Sequence, residues 1–131
     1  MTARENFERT LSTLCDEHGW VVGASEVDVK FADGRHQVVH LDYFEHDGRA
    51  CVRFHSVIGS TRKIRQDRLQ FALEVNFGLA HGCLAVKGDL FVMVDTLMLA
   101  DADPAEVQGA IVFLADTSDY YERTMFGPDA Y

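Results

Sequence analysis

Four polar side chains could do chemistry if two neighbouring stretches of the chain pair with each other. His40 and Asp42 alternate along one stretch, and Arg53 and His55 alternate along the next. If the Asp-Gly pair at 47–48 forms a two-residue turn, His40 faces His55 and Asp42 faces Arg53. Neutral imidazole and carboxylate groups can bind a metal ion or transfer protons. Two histidines do not complete a zinc shell, so an ordinary half-exposed sheet face is the alternative interpretation.

Apolar side chains share that side of the predicted strands. Val38 and Phe44 belong to the first strand, and Cys51 and Val57 belong to the second. If no helix covers them, they form an exposed apolar patch, which usually marks the site of a protein partner. The candidate partner-binding residues are Val38, His40, Phe44, Cys51, Arg53, His55 and Val57.

The rest of the sequence lacks catalytic signatures. No serine lies in a G-x-S-x-G elbow, and the glycines form neither G-x-G-x-x-G nor a P-loop. Cys15, Cys51 and Cys83 are far apart and form no C-x-x-C pair, which favours reduced thiols over a disulfide framework or a zinc clip. We therefore predict no enzymatic activity, no catalytic residue, no cofactor and no metal.

Charge narrows the choice of partners. The 131 residues include 12 Lys plus Arg and 21 Asp plus Glu, a formal net charge of −9. Residues 69–131 hold two basic and ten acidic side chains. Such an acidic body repels phosphate backbones and anionic membrane surfaces, so we expect neither a nucleic acid nor a membrane partner. The N-terminal stretch 1–20 lacks the apolar core of a secretory signal, which predicts a cytoplasmic protein.

Hydrophobic periodicity predicts a single α+β domain over residues 1–131, with the order α-β-β-β-α-β-β-α. Two Asp-Gly turns indicate an antiparallel meander, and an Asp-Pro-x-Glu start indicates the last helix. The helices are expected on one side of a five-stranded antiparallel sheet. The predicted bounds are 2–18 for the first helix, 21–31, 36–45 and 50–59 for the meander, 61–80 for the second helix, 81–99 for a hairpin turning at 87–89, and 103–124 for the last helix, which Gly127 and Pro128 end.

The register of the first strand depends on its turn. Val27, Val29 and Phe31 join the apolar side of the other two strands only if the turn at 33–34 is one residue longer than the turn at 47–48. We therefore predict a three-residue loop or a bulge at 33–34, because a one-residue slip would turn three apolar side chains to solvent.

The stretch LEVNFGLAHGCLAVKGDLFVMVDTLML, residues 73–99, places an Asn two residues before a Gly at a helix end and a Gly at a hairpin turn. An acidic linker then leads into the long last helix. With this pattern and its element order, the chain resembles the type III secretion chaperone-like superfamily and, within it, the YbjN-like bacterial proteins. The resemblance covers nearly the whole chain.

The resemblance implies a non-enzymatic homodimer that holds an extended segment of another protein. It places the dimer interface on the second helix and the adjacent strand. A basic run at 62–68 departs from this pattern, because two copies of the helix would repel each other if they crossed there. The implied interface residues are Leu69, Phe71, Leu73, Val75, Phe77 and Cys83.

Three hypotheses about function follow. The leading one is a cytoplasmic homodimeric module that binds a protein or peptide client through apolar surface. The second is a regulatory protein in sensory transduction, of the YbjN-like type, that docks a folded partner. The third, from another class, is a small-molecule or metal-binding enzyme that uses His40, His55, Asp42 and Arg53.

Overall fold

The computed structural model describes residues 1–126, apart from the side chain of Phe126. Within that range the strands form one antiparallel sheet, and Gly127 and Pro128, expected to end the last helix, lie outside it. In chain order the elements are α1 (Ala3–His18), β1 (Val21–Val22), β2 (Glu26–Lys30), β3 (His36–His46), β4 (Arg49–Ser60), α2 (Gln66–Gly78), β5 (Cys83–Lys87), β6 (Leu90–Met98) and α3 (Pro104–Phe126). The strand order across the sheet is β1-β2-β3-β4-β6-β5.

The first helix has the predicted ends and the predicted buried side. Thr2 Oγ1 accepts a hydrogen bond from the Glu5 backbone N–H at 3.1 Å, and Gly19 ends α1 in the left-handed conformation with φ 72°. Phe7 packs edge-on against Tyr43 of β3, with 6.1 Å between the ring centroids. The apolar stripe that anchors α1 consists of Phe7, Leu11, Leu14 and Cys15.

The turn between β3 and β4 is confirmed as a two-residue turn. Both residues at 47–48 have positive φ, 52° and 75°, which matches the hairpin turn that Asp-Gly favours. His46 consequently pairs with Arg49, and His40 lies directly opposite His55. The register that brings the two histidines together is therefore the predicted one.

The turn between β2 and β3 is confirmed as a three-residue loop. The Phe31 N–H donates to the Arg35 carbonyl at 2.8 Å, which closes the loop 32–34, and Gly34 takes a positive φ of 87°. Val27 and Val29 are consequently buried on the core side of the sheet. The third loop residue keeps the apolar side chains of β2 on the core side of the sheet, as predicted.

The stretch 21–31, predicted as one strand, is two strands. The Gly23 N–H donates to the Glu26 carbonyl at 2.8 Å and closes a tight turn. Val22 therefore folds back to pair with Val27, and the two-residue β1 becomes the edge of the sheet. The sheet has six strands, one more than predicted.

The second helix begins at Gln66, five residues later than predicted. Ser60 Oγ accepts a hydrogen bond from the Arg62 N–H at 3.2 Å and caps a single 3₁₀ turn over 61–63, after which the chain extends for two residues. Arg62 also pairs with Asp89 in the β5–β6 turn, at 3.0 Å. Most of the basic run therefore lies ahead of α2, and only Arg68 of the run lies on the helix that the resemblance places at the dimer interface.

Asn76 joins α2 to the free edge of the sheet. Its Oδ1 accepts from the Leu84 N–H at 2.7 Å, and its Nδ2 donates to the Leu84 carbonyl at 3.0 Å. β5 is an edge strand, so these two backbone groups have no neighbouring strand to pair with. The carboxamide takes the place of that strand and fixes where α2 lies.

Replacing Asn76 with Ala is expected to lower the free energy of unfolding by about 2 kcal/mol, because both groups of the buried Leu84 lose their partner. Urea unfolding followed by circular dichroism measures this loss. Asn76→Asp keeps the acceptor for the Leu84 N–H and should fall between the wild type and Asn76→Ala. Equal midpoints for all three proteins would contradict the role of the carboxamide.

The last helix packs across the middle of the sheet. Asp103 Oδ1 accepts from the Glu106 N–H at 2.8 Å, which confirms the predicted cap. Asp119, buried on α3, forms an ion pair with Arg35 of the β2–β3 loop at 2.8 Å. This pair ties the far end of α3 to the first hairpin. The fully buried side of α3 includes Val107, Ile111, Leu114, Ala115 and Ser118.

The two faces of the sheet differ. α1 and α3 pack on one side and bury the core, as predicted. On the opposite side Asp42, Arg53 and Thr96 are exposed. The core side of the strands consists of Val27, Val29, Val39, Leu41, Val52, Phe54, Ile58, Phe91 and Met93.

Candidate functional site

The outer face, the side of the sheet opposite α1 and α3, is arranged in rows that cross β3, β4 and β6. Two apolar rows lie at the two ends, and two rows with charged or titratable groups lie between them. From the 47–48 turn inward, the rows are Phe44, Cys51 and Met98; Asp42, Arg53 and Thr96; His40, His55 and Val94; and Val38, Val57 and Val92. All seven predicted partner-binding residues lie on this face.

The apolar row nearest the turn is the floor of an open depression of about 540 Å³. Cys51 is buried in that floor. The Arg53 guanidinium lies over the Phe44 ring, 4.1 Å from its centroid, and Arg49 Nη1 donates to Met98 Sδ at 3.7 Å. The depression therefore combines an apolar floor with two guanidinium groups.

The histidine pair lies between the apolar rows. The His40 and His55 rings stack with centroids 4.8 Å apart and planes 21° apart. His55 Nδ1 is 3.7 Å from Asp42 Oδ2, and His40 Nδ1 is 3.8 Å from Glu26 Oε2, both too long for hydrogen bonds. Burial, together with the positive charges of Lys87 and His40, lowers the pKa of His55, while Asp42 acts in the opposite direction.

This lowered pKa makes stability depend on pH. Folded His55 binds a proton less readily than unfolded His55, so acidification below pH 6.5 favours the unfolded chain. We expect the free energy of unfolding to fall between pH 7 and pH 5, and His55→Gln to reduce that fall. Urea titrations at both pH values measure it, with His46→Gln, exposed beside the turn, as the control. An unchanged fall in His55→Gln would contradict this account.

The side chains around the histidine pair offer few metal ligands. Among residues 1–126, no group of three or more His, Cys, Asp or Glu side chains is placed to hold a metal ion. The histidine pair contributes two imidazoles, and the Asp42 carboxylate lies 3.7 Å from one of them. The two imidazoles stack on each other in the sheet face.

A smaller depression of about 190 Å³ lies at the far end of the outer face, where Val38 and Val57 meet His40. The buried Glu122 of α3 also lines it, so this depression lies where the outer face meets the end of α3. The predicted partner-binding residues thus fall into two groups on one face, one at each depression, with His55 between them.

A second exposed apolar surface lies on α2. Phe77 is 98% exposed, Leu73 is 71% exposed and Phe71 is 45% exposed, and we call these three residues the α2 patch. Leu73 and Phe77 are four residues apart and share one side of the helix. Val86 of the adjacent β5 is 57% exposed as well. Side chains of this size and exposure on neighbouring elements form a contact surface without a partner in a single chain.

The other three residues of the implied dimer interface lie elsewhere. Leu69 and Val75 are half-buried against the core. Cys83 lies on β5 opposite Val94 and so belongs to the outer face. The structure therefore places Leu73 and Phe77 on one side of α2, with Phe71 about 160° around the helix from Leu73 and Cys83 apart from all three.

Five residues that line the depression are not among the predicted partner-binding residues: His46, Asp47, Arg49, Thr96 and Met98. Arg49 shares the side-chain alternation of Cys51 and Arg53, so the predicted register alone could have found it. Met98 could not be found in this way. It reaches the site because β6, rather than β5, pairs with β4, and no local signal in the sequence specifies that choice.

Comparison with known proteins identifies the fold. No protein-family model matches the chain, and no curated protein matches it. The chain is similar to a chain in the crystal structure of the ExsC–ExsE complex. The match has a TM-score of 0.69 at 9% sequence identity and covers 95% of this chain and 97% of that chain. The chain has the type III secretion chaperone-like fold.

A second solved structure has this chaperone-like fold as well. It is the HopA1–SchA chaperone–effector complex, matched with a TM-score of 0.55 at 10% identity over 87% of this chain and 94% of that chain. At such low identity the likeness concerns the fold alone. The predicted fold class, α+β with an antiparallel sheet, is thereby confirmed.

None of the helices in the part of the chain that the structure describes is long and apolar enough to cross a membrane.

Proposed function

We propose that the protein is a non-enzymatic, homodimeric chaperone-like module of the cytoplasm that holds an extended segment of a client protein on its outer face. One observation carries the proposal: apolar rows of a sheet face lie on the side opposite α1 and α3. The solved structures of similar fold are an ExsC–ExsE complex and a chaperone–effector complex, which supports a protein client here.

The shape of the outer face suits an extended segment. Successive side chains of an extended peptide point in opposite directions, so every second one meets the sheet. Apolar client side chains then fit the two depressions, while the rows with charged and titratable groups give the segment a defined position along the face. Affinity comes from the apolar contacts, and selectivity comes from the polar rows.

The α2 patch supports the homodimer. Phe77 and Leu73 would be buried if α2 packed against its copy about a two-fold axis, where each residue contributes twice. A stable pair of this kind buries about 1,200 Å² or more. The proposed interface therefore has Leu73 and Phe77 at its centre and Phe71 at its margin, with Leu69 and Val75 supporting α2 from the core side.

Capture of a client tests the proposal. Tagged protein is incubated with native cytosol, captured proteins are identified, and the capture is repeated with Phe44→Asp and Val57→Asp. A carboxylate buried against an apolar client is costly, so we expect capture to fall about tenfold or more in both variants. Ala50→Asp is the matched control, because Ala50 is exposed on the same strand but alternates to the other side.

The outcomes separate the three hypotheses. Undiminished capture by Phe44→Asp and Val57→Asp, with folding intact by circular dichroism, would contradict client binding on the outer face. A partner that binds only as a folded domain would favour the regulatory hypothesis. Metal content or turnover that disappears in both His40→Ala and His55→Ala would favour the enzyme.

A further inference from the structure

Two arginines beside the 47–48 turn stand out in a chain of net charge −9. Arg49 and Arg53 both line the larger depression, and neither forms an ion pair with a carboxylate among residues 1–126. Arg35 pairs with Asp119 and Arg62 pairs with Asp89. Arg9 and Arg68 also form no ion pair among residues 1–126, but neither lines this depression. An acidic chain has more carboxylates than its basic side chains can pair with. Two unpaired guanidinium groups around one apolar floor therefore indicate a ligand that supplies the negative charge.

We propose that this depression selects a client segment with the pattern acidic-x-apolar-x-acidic in an extended conformation. The proposal rests on the proposed function, and it specifies which segment the outer face takes. The apolar side chain lies on Cys51 and Phe44, and one carboxylate lies at each arginine.

The spacing follows from the strand itself. Arg49, Cys51 and Arg53 alternate on one side of β4, so the two arginine Cα atoms are separated by four residues, about 13 Å at about 3.3 Å per residue. An extended peptide running along β4 has the same repeat. Its residues i, i+2 and i+4 therefore face Arg49, Cys51 and Arg53, or the reverse order, which gives the acidic-x-apolar-x-acidic pattern.

Both guanidinium groups are held in place before a ligand arrives. Arg53 stacks on the Phe44 ring at 4.1 Å, which occupies the face of the guanidinium and leaves its N–H edges to donate. Arg49 is oriented by its contact with Met98 Sδ at 3.7 Å. A carboxylate can accept two parallel hydrogen bonds from such an edge, which gives direction as well as charge.

Nearby carboxylates do not cancel this preference. Asp47 also lines the depression, but its side chain is 87% exposed and its carboxylate lies 3.5 Å from His46 Nε2. Asp42 is the cross-strand neighbour of Arg53, and its carboxylate lies 3.7 Å from His55 Nδ1. The net charge repels an acidic peptide at long range, but the Debye length is about 8 Å at physiological salt. Within that distance the local arginine pair determines the preference.

Three short peptides test the pattern with the full-length protein. The first is SETLTES, which has the proposed spacing; the second is SETLETS, which has the same composition with one Glu moved by one residue; the third is SKTLTKS. Fluorescence anisotropy of labelled peptides measures affinity. We expect SETLTES to bind at least about fivefold tighter than either of the others, as two exposed ion pairs allow.

The double variant Arg49→Glu and Arg53→Glu provides the charge swap. Both side chains are exposed, so the fold should be retained, which thermal unfolding checks. The swapped protein should prefer SKTLTKS over SETLTES, because the attraction and the repulsion exchange places. Phe44→Asp should weaken SETLTES and SETLETS, because it removes the apolar floor and adds a charge of the same sign as the peptide.

The result that would overturn the proposal is equal affinity for SETLTES and SETLETS, no binding of SETLTES, or no reversal in the swapped protein. The capture experiment is independent of these results. If capture still depends on Phe44 and Val57, the outer face remains the proposed client site, but with another sequence preference. Capture that no longer depends on either residue would instead refute the proposed function itself.

Discussion

Replacing Phe77 with Asp is expected to convert the proposed dimer into a monomer, with association weakened by about 100-fold or more. Phe77 is 98% exposed in the single chain, so the substitution removes no core contact. In a two-fold dimer the change occurs twice, and each new carboxylate would have to lose its water beside an apolar neighbour. Large aromatic anchors of this kind dominate the energy of interfaces.

Equilibrium sedimentation at micromolar concentrations measures the change. Leu73→Asp, one helical turn away on the same side of α2, should act in the same direction. Val21→Asp is the matched control, because Val21 is also an exposed apolar residue, 54% exposed, but lies on β1 at the opposite edge of the sheet. A wild-type protein that sediments as a monomer, or a Phe77→Asp protein that dimerises as tightly as the control, would refute the dimer.

The parts of the fold that the sequence predicts are those set by local geometry. The pairing of His40 with His55 follows from one two-residue turn, because Asp-Gly accepts positive φ at both positions. The loop 32–34 follows from side-chain alternation. The start of α3 follows from Asp103 as a cap. Each of these follows from a turn, a side-chain alternation or a cap that is local in the sequence.

The parts that the sequence does not predict depend on distant contacts. The stretch at 61–65 contains good helix formers, yet the Thr61 N–H donates to the Asp89 carbonyl at 2.8 Å and Arg62 pairs with the Asp89 side chain. These contacts hold the segment against the β5–β6 turn as a 3₁₀ turn. Local propensity cannot anticipate a partner 28 residues away.

Only part of the candidate site could be predicted from the sequence. Phe44, Cys51 and Arg53 could be assigned to one side of the sheet from the register alone, and the structure places them together at one depression. Met98 completes that depression only because β6 lies beside β4. Strand order is a property of the whole fold, so residues contributed by a third strand escape an argument made from two.

The position of α2 relative to the sheet, and with it the α2 patch, depends on a close approach of the backbone at Gly82. Gly82 has φ 65°, and a Cβ at this position would lie 2.7 Å from the Val94 carbonyl oxygen and 3.3 Å from Met93 Cε. Both strands are paired there, since the next residue, Cys83, pairs with Val94. The carbonyl therefore cannot retreat without disturbing the β5–β6 ladder.

Gly82→Ala is accordingly expected to lower the free energy of unfolding by about 3 kcal/mol, from left-handed strain and from the clash together. For a chain of this length that loss corresponds to about 10 °C in Tm. Gly19→Ala is the matched control, because Gly19 has a similar φ of 72° but a Cβ there meets nothing within 4 Å. It should cost only the strain, about 1 kcal/mol. Equal losses in the two variants would show that the contact with Val94 contributes nothing, and that the sharp path from α2 into β5 is set by φ alone.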